Sequence, residues 1–419
     1  MLHCAMLTRI MLKRLRVLLI GLGLTGLFFY LSQVGGMPLL YAYPLDGIQQ
    51  LLGKEDAVII ASPQGKIIFE KNPDKNLIPA STLKIFTSLV ALYYLGSDYR
   101  FQTEFYLGPD NNLKIKGYGD PLLISETLVD IAHKLSPRVI RYNDLALDDA
   151  FFLNPIHIPG TSPTYQPYDA PNGALCVNFN TVNFKRSNDT YVSAEDQTPL
   201  LPFVAERIKA SSLNYGRIIL TSRNNESTLY AGHLFKYFLN GAGIESNGDI
   251  KIGSVQKQHD RLLLTYVSPF SLGQVINKLL EFSNNFIANQ LLLTAGAKHY
   301  GPPGTLDKGI QAALAYADRN LGIHDLSLIE GSGISRENRI SARNMLKILN
   351  EFEPYHELLR QQDSEFYKTG NLTGITTRAG YLANEKGECY RFVIMLNTPG
   401  TSIRTVMKQV RRFVKSLNN

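Results

Sequence analysis

Residues 81–95 read STLKIFTSLVALYYL, from Ser81 to Leu95. Apart from Ser81, Lys84 and Ser88 the stretch is apolar on most faces, which predicts a helix buried at the centre of a domain. Pro79 and Ser81 both suit a helix start. Ser81 and Lys84 are three residues apart and so share one helix face. That spacing has a chemical use. A serine hydroxyl is a poor nucleophile at neutral pH and needs an adjacent base. Lysine can be that base only if burial or neighbouring cations lower its pKa from about 10.4. An apolar helix supplies the burial, and its N-terminus aims backbone N–H groups where charge would develop on an attacked carbonyl oxygen.

Ser-x-x-Lys alone is a weak signal, and the chain repeats it at Ser254 to Lys257. The second copy lies in a polar run, SVQKQHDR, and lacks the buried helix. Two further groups follow Ser81 in order: Ser283-Asn284-Asn285, opening a second apolar helix (FIANQLLL), and Lys368-Thr369-Gly370, ahead of a strand pair. Ser-x-Asn recurs at Ser212, Ser222 and Ser416, whereas Lys-Thr-Gly occurs once.

Strand-like segments Ala57–Ala61 and Lys66–Glu70, joined by Pro63-Gln64-Gly65, precede the Ser81 helix as a hairpin. From about Gly96 to Ala231 the chain turns rich in Pro, Gly, Asn and Asp with short apolar runs, and predicts a β-rich insertion. Helical patterning returns at 231–240, 270–293 and 305–321. Strands at Thr377–Leu382 and Tyr390–Asn397 follow. A last helix carries Ile403, Val406, Met407, Val410, Phe413, Val414 and Leu417 on one face. Its basic residues fall mainly on the other face, as a solvated surface. Strands first, helices next and strands last predict an α+β domain whose first and last segments share one antiparallel sheet. The expected division is a leader at 1–45, a discontinuous domain at 46–96 and 232–419, and the insertion at 97–231.

The chain has 419 residues, 44% of them hydrophobic, enough for a large core. Of the net charge of +7, more than half comes from Arg9, Lys13, Arg14 and Arg16, ahead of the first acidic residue, Asp46. No basic run interleaved with aromatics follows, so nucleic acid is not an expected partner. The basic cluster leads into the uncharged Val17–Leu31, the layout of an export signal or of a membrane anchor through 17–31. No clean cleavage site decides between them, the nearest candidate being near Ala42. Positive-inside charge places the remainder outside the cytoplasm, in the periplasm or an equivalent space. Cys4, Cys176 and Cys389 show no metal spacing and the eight histidines form no HExxH, so no metal or cofactor is expected. Cys176 and Cys389 read as a disulfide or as two buried small hydrophobes.

The three motifs in order are those of penicillin-binding proteins and serine β-lactamases. With Gly119-Asp120-Pro121, Asp148-Asp149, Ala174 to Asn180, Gly241 to Gly248, Gly331 to Arg336 and Lys368 to Tyr381, the chain resembles the D-alanyl-D-alanine carboxypeptidase and endopeptidase family of low-molecular-mass penicillin-binding proteins, the class with an insertion between the first two motifs. The resemblance implies a β-lactamase-like transpeptidase fold, peptidoglycan stem peptides as substrate and β-lactam antibiotics as inhibitors. It implies Ser81 as the acylated nucleophile and Lys84 as its base. Ser283 would relay a proton towards the leaving group, and Asn285 would hold substrate amides and Lys84. Lys368 and Thr369, with Gly370 and Asn371 beside them, would bind substrate, the first two at its carboxylate. Backbone N–H groups of Ser81 and Asn371 would form the oxyanion hole. Asn284 stands where Asp is frequent, Asn289 where an acidic residue is expected, and Glu330 where Asp is usual. Asp120, Asp148 and Asp149 read as structural. The sequence does not separate carboxypeptidase from endopeptidase. A catalytically silent wall-binding scaffold and a β-lactamase or esterase are the alternatives, the latter without an identifiable deacylating residue.

Overall fold

The computed structural model describes residues 42–417. The leader reading, with its basic cluster, its apolar run and Cys4, lies outside the described residues except for its last few positions.

The chain enters through helix α1 (Ala42–Leu51), then strands β1 (Asp56–Ala61) and β2 (Ile67–Lys71). A 3-10 turn at Ala80–Thr82 leads into α2 (Leu83–Leu95). Next come β3 (Arg100–Leu107), β4 (Leu113–Gly117), α3 (Ser125–Leu135), β5 (Leu145–Asp148), β6 (Thr181–Ser187), β7 (Thr190–Ser193), α4 (Ala205–Ser211) and β8 (Tyr215–Ile219). They are followed by α5 (Glu226–Gly241), β9 (Ile250–Ile252), β10 (Arg261–Ser271), α6 (Leu272–Phe282), α7 (Asn285–Tyr300), α8 (Leu306–Leu321) and α9 (Ala342–Phe352). The chain closes with β11 (Arg360–Gln362), β12 (Glu365–Leu372), β13 (Ile375–Ala383), β14 (Cys389–Leu396) and α10 (Ile403–Ser416).

The first and last segments do share one sheet, in the order β11-β12-β13-β14-β1-β2 and antiparallel throughout. Its central strands are buried on both faces, which is why β1 reads as the unbroken apolar run AVIIA. Because side chains alternate across a strand, Ala57, Ile59 and Ala61 face the helical cluster while Val58 and Ile60 face the opposite side. There α1 and α10 cover the sheet, with Val406, Met407, Val410, Phe413 and Val414 buried against it. On the helical side lie α2 and α6 to α9, and ten residues of α2, Leu83 to Leu92, are buried.

A second core gathers around the sheet β10-β3-β4-β5-β9, with α3 and α5 packed on it, and a three-stranded sheet β7-β6-β8 adjoins. The second sheet mixes antiparallel pairs with the parallel pairs β4–β5 and β5–β9. Position 231 falls inside α5, and strands β9 and β10, which complete this sheet, come from residues 250–271. This sheet thus draws strands both from 100–148 and from 250–271. The segment 270–293 is two helices, separated at Ser283, a non-glycine residue in the left-handed region at φ 55°.

Cys176 and Cys389 are free thiols. Cys176 is buried, its Sγ 3.3 Å from the Gly173 carbonyl and 2.9 Å from Asn180 Nδ2, and burial pushes its thiol up to about 12.

Candidate active site

The nucleophile turn is fixed from two sides. Ala80, at its start, lies in the left-handed region at φ 47°, a conformation that costs a non-glycine residue free energy and persists only where its surroundings enforce it. Thr377 Oγ1, from β13, donates to the Pro79 carbonyl at 2.7 Å. Gly370, on β12, faces the same turn so closely that a Cβ there would come within 2.6 Å of the Ser81 backbone nitrogen. Gly333, at φ 81°, presses from the other side, and a Cβ on it would sit 1.9 Å from the Ala80 carbonyl oxygen.

Lys84 is fully buried on α2 and its Nζ has three neighbours: Ser81 Oγ at 2.9 Å, Asn285 Oδ1 at 2.8 Å and the Ser332 carbonyl at 2.6 Å. Two of the three are acceptors only. A neutral amine has two N–H groups and one lone pair, so donation to Asn285 and Ser332 leaves the lone pair for the serine hydroxyl. Burial, and then the charge of Lys368, hold the Lys84 pKa well below its ordinary value, while Glu330 opposes them. The three contacts would equally satisfy the three donors of an ammonium, so it is the lowered pKa that favours the neutral amine.

Ser283 and Asn285 sit at the junction of α6 and α7. Ser283 caps the end of α6, and its Oγ accepts from Lys368 Nζ at 2.7 Å. Asn285 Nδ2 donates to the Tyr168 carbonyl at 3.2 Å, which turns its Oδ1 towards Lys84. Asn284, between them, caps α7: its Oδ1 accepts from the Ile287 N–H at 3.0 Å. An N-cap is served equally by Asn and Asp, so this departure from the motif leaves the cap intact.

Lys368 is buried, and its Nζ also donates to the Thr369 carbonyl at 2.8 Å. Burial, and secondarily the charge of Arg360, lower its pKa to about 8. Thr369 is partly exposed and Asn371 exposed. β12 pairs with β13 along its whole length but with β11 only at residues 365–367, so among the described residues no strand covers its other edge from Lys368 onwards.

The other two departures touch each other. Glu330 is fully buried, and its carboxylate accepts from the Ser332 N–H and Oγ, the Gly333 and Ser335 N–H groups, Asn338 Nδ2 and Asn289 Nδ2. Asn289 Oδ1 in turn accepts from the Gly331 N–H at 2.7 Å. An acidic residue at 289 would set a second buried carboxylate against Glu330. This network shapes the 330–335 loop that carries the Ser332 carbonyl to Lys84. The role of Ser332 was not legible, because a backbone carbonyl carries no residue-type signature. Only the run of small residues at Gly331-Ser332-Gly333 marks the loop.

The remaining candidates separate cleanly. Ser254 and Lys257 lie in a loop, with Lys257 paired to Glu104 at 3.0 Å. Asp148 pairs with Lys116 at 2.7 Å and Asp120 accepts from the Leu122 N–H at 2.9 Å, both structural contacts. Asp149 holds Thr228 Oγ1 at 2.9 Å.

A family model described as the D-Ala-D-Ala carboxypeptidase 3 (S13) family matches residues 45–365. A protein of Actinomadura sp. named D-alanyl-D-alanine carboxypeptidase is 24% identical over 412 residues, covering 79% of this chain and 75% of its own. The crystal structure of penicillin-binding protein 4 from Haemophilus influenzae superposes with a TM-score of 0.71 at 21% identity, covering 90% of this chain and 98% of that one. A second structure of that protein, complexed with a β-lactam, superposes with a TM-score of 0.67 at 20% identity, over 90% and 98% of the two chains.

Proposed function

The chain belongs to the D-Ala-D-Ala carboxypeptidase 3 (S13) family, a family of serine peptidases, and on that premise we propose that it hydrolyses the D-alanyl-D-alanine bond of peptidoglycan stem peptides through an acyl-enzyme on Ser81. The observation that carries this reading is the buried Lys84 amine with two acceptor-only neighbours and Ser81 Oγ at 2.9 Å. Neutral Lys84 takes the serine proton as Oγ attacks the penultimate D-alanine carbonyl. The Ser81 and Asn371 N–H groups receive the developing oxyanion, a contribution worth about 3–4 kcal/mol per donor in other enzymes. Ser283, bonded to Lys368, passes a proton to the departing amine. Charged Lys368, with Thr369, binds the terminal carboxylate. The stem peptide lies along the open edge of β12 as an added strand. Water then resolves the ester.

A β-lactam presents a carbonyl and a carboxylate to the same groups, and its ester on Ser81 persists because the expelled amine stays tethered to the acyl group and blocks the approach of the water that resolves the peptide ester. The basic and apolar leader agrees with a site of action outside the cytoplasm. Among the described residues no helix is long and apolar enough to cross a membrane.

The test is release of D-alanine from a stem pentapeptide ending in D-alanyl-D-alanine. Wild-type protein is expected to release it and Ser81→Ala to lose at least a thousandfold of the rate. A folded wild-type protein that releases none, or a Ser81→Ala protein that releases it undiminished, would sink the reading.

A further inference from the structure

A cavity of about 450 Å³ opens between the α6–α7 junction and the insertion. None of Ser81, Lys84, Ser283, Asn285 and Lys368 lines it, but chain neighbours of Ser283 and Asn285 do. Pro167 and Asn284 line it, and their neighbours Tyr168 and Asn285 hydrogen bond to each other. Phe282 and Asn284, also lining it, flank Ser283, the group assigned above to the leaving amine.

Its walls are largely apolar, with Phe270, Phe282 and Phe286 among them, and Phe282 is 68% exposed. Grouped with Phe270 and Phe286, it makes a contiguous apolar wall of the kind that receives an apolar ligand. The charges on the walls are unevenly compensated. Glu195 is held by Arg217. Glu126 lies in the first turn of α3, where the helix N-terminus stabilises a negative charge. Lys278, 5.6 Å above the Phe270 ring, pairs with no carboxylate among the described residues. The cavity therefore suits an aliphatic body that bears an anionic group.

We infer that this cavity binds the second stem peptide of a cross-linked substrate, the half that departs as an amine. The inference rests on the function proposed above. In the acylation step Ser81 Oγ bonds to the D-alanine carbonyl carbon, the C–N bond to the second stem breaks, and the amine leaves with the proton Ser81 gave up. That stem joins the scissile bond through the side chain of a diamino acid, a methylene chain ending among carboxylates. The methylenes lie against Phe270 and Phe282, and a carboxylate pairs with Lys278. Free D-alanine, the leaving group of simple trimming, is too small to extend from Ser283 into this space. The cavity thus sets the ratio of cross-link cleavage to trimming.

The experiment measures kcat/KM for a cross-linked muropeptide dimer and for a monomeric pentapeptide, each expressed per penicillin-acylable protein so that misfolded molecules cancel. In Lys278→Glu and in Phe282→Ser the ratio of the two values is expected to fall at least fivefold, and in Lys278→Arg to stay within twofold of wild type. An unchanged ratio in the first two variants overturns the inference, as does a wild-type enzyme that trims pentapeptide but leaves dimers intact. Wild-type protein inert towards both substrates would overturn the proposed function and this subsite with it.

Discussion

Lys84 illustrates how a residue acquires a task from what surrounds it. The Ser-x-x-Lys spacing on an apolar helix made its burial legible, and burial is the largest cause of its lowered pKa. What the spacing could not give is the pair of acceptors, Asn285 Oδ1 and the Ser332 carbonyl, that orient its lone pair, because both come from far along the chain. The two lysines of the site need opposite charge states. Acylation requires Lys84 neutral, so the rate rises as that group, held below its ordinary range, loses its proton. It also requires Lys368 charged, so the rate falls as pH passes about 8. Stopped-flow acylation across pH 5 to 10 should show that alkaline fall, and Lys368→Arg, permanently charged, should move it beyond the measured range. A wild-type rate flat to pH 10 would contradict the role given to Lys368.

At the scale of elements, the helix junctions and the 330–335 loop hold the groups in place. Asn284 is a cap, which explains why its identity as Asn leaves the motif serviceable. Asn284→Asp is therefore expected to preserve acylation, and Asn284→Ala to lose about 1 kcal/mol of stability in urea unfolding. Gly333 lies against Ala80 with no room for a methyl group. Gly333→Ala should slow acylation at least tenfold while the circular dichroism spectrum stays native, since the displaced turn is the one that presents Ser81. An unaffected acylation rate would show that the loop does not position the nucleophile. The motifs themselves, and their helix or strand settings, were readable from residue type and periodicity. The Asn289–Glu330 contact was not: each residue looked like an isolated departure, and only their 3.1 Å contact shows that they compensate each other.

Across the whole molecule, the sheet is sandwiched between the helical cluster and the α1–α10 layer, so the active-site strand β12 is held by both ends of the chain. The apolar face of α10 was plain in the sequence. Its partner surface follows from the alternation of β1 and β14, which send Val58, Ile60, Phe392 and Ile394 to that side. Phe413 is 2% exposed there, and Phe413→Ala should cost about 3–5 kcal/mol, read as a lowered unfolding midpoint with penicillin acylation intact below it. The passage from one core to the other between β10 and α6 was less legible, because the two elements run on without a break in composition. The arrangement converges on one covalent bond. Incubation of residues 42–419 with penicillin, followed by proteolysis and mass spectrometry, is expected to find a long-lived penicilloyl group on the peptide containing Ser81 and none in Ser81→Ala. A folded protein that stays unlabelled, or an adduct that survives Ser81→Ala, would contradict the assignment of Ser81 as the nucleophile.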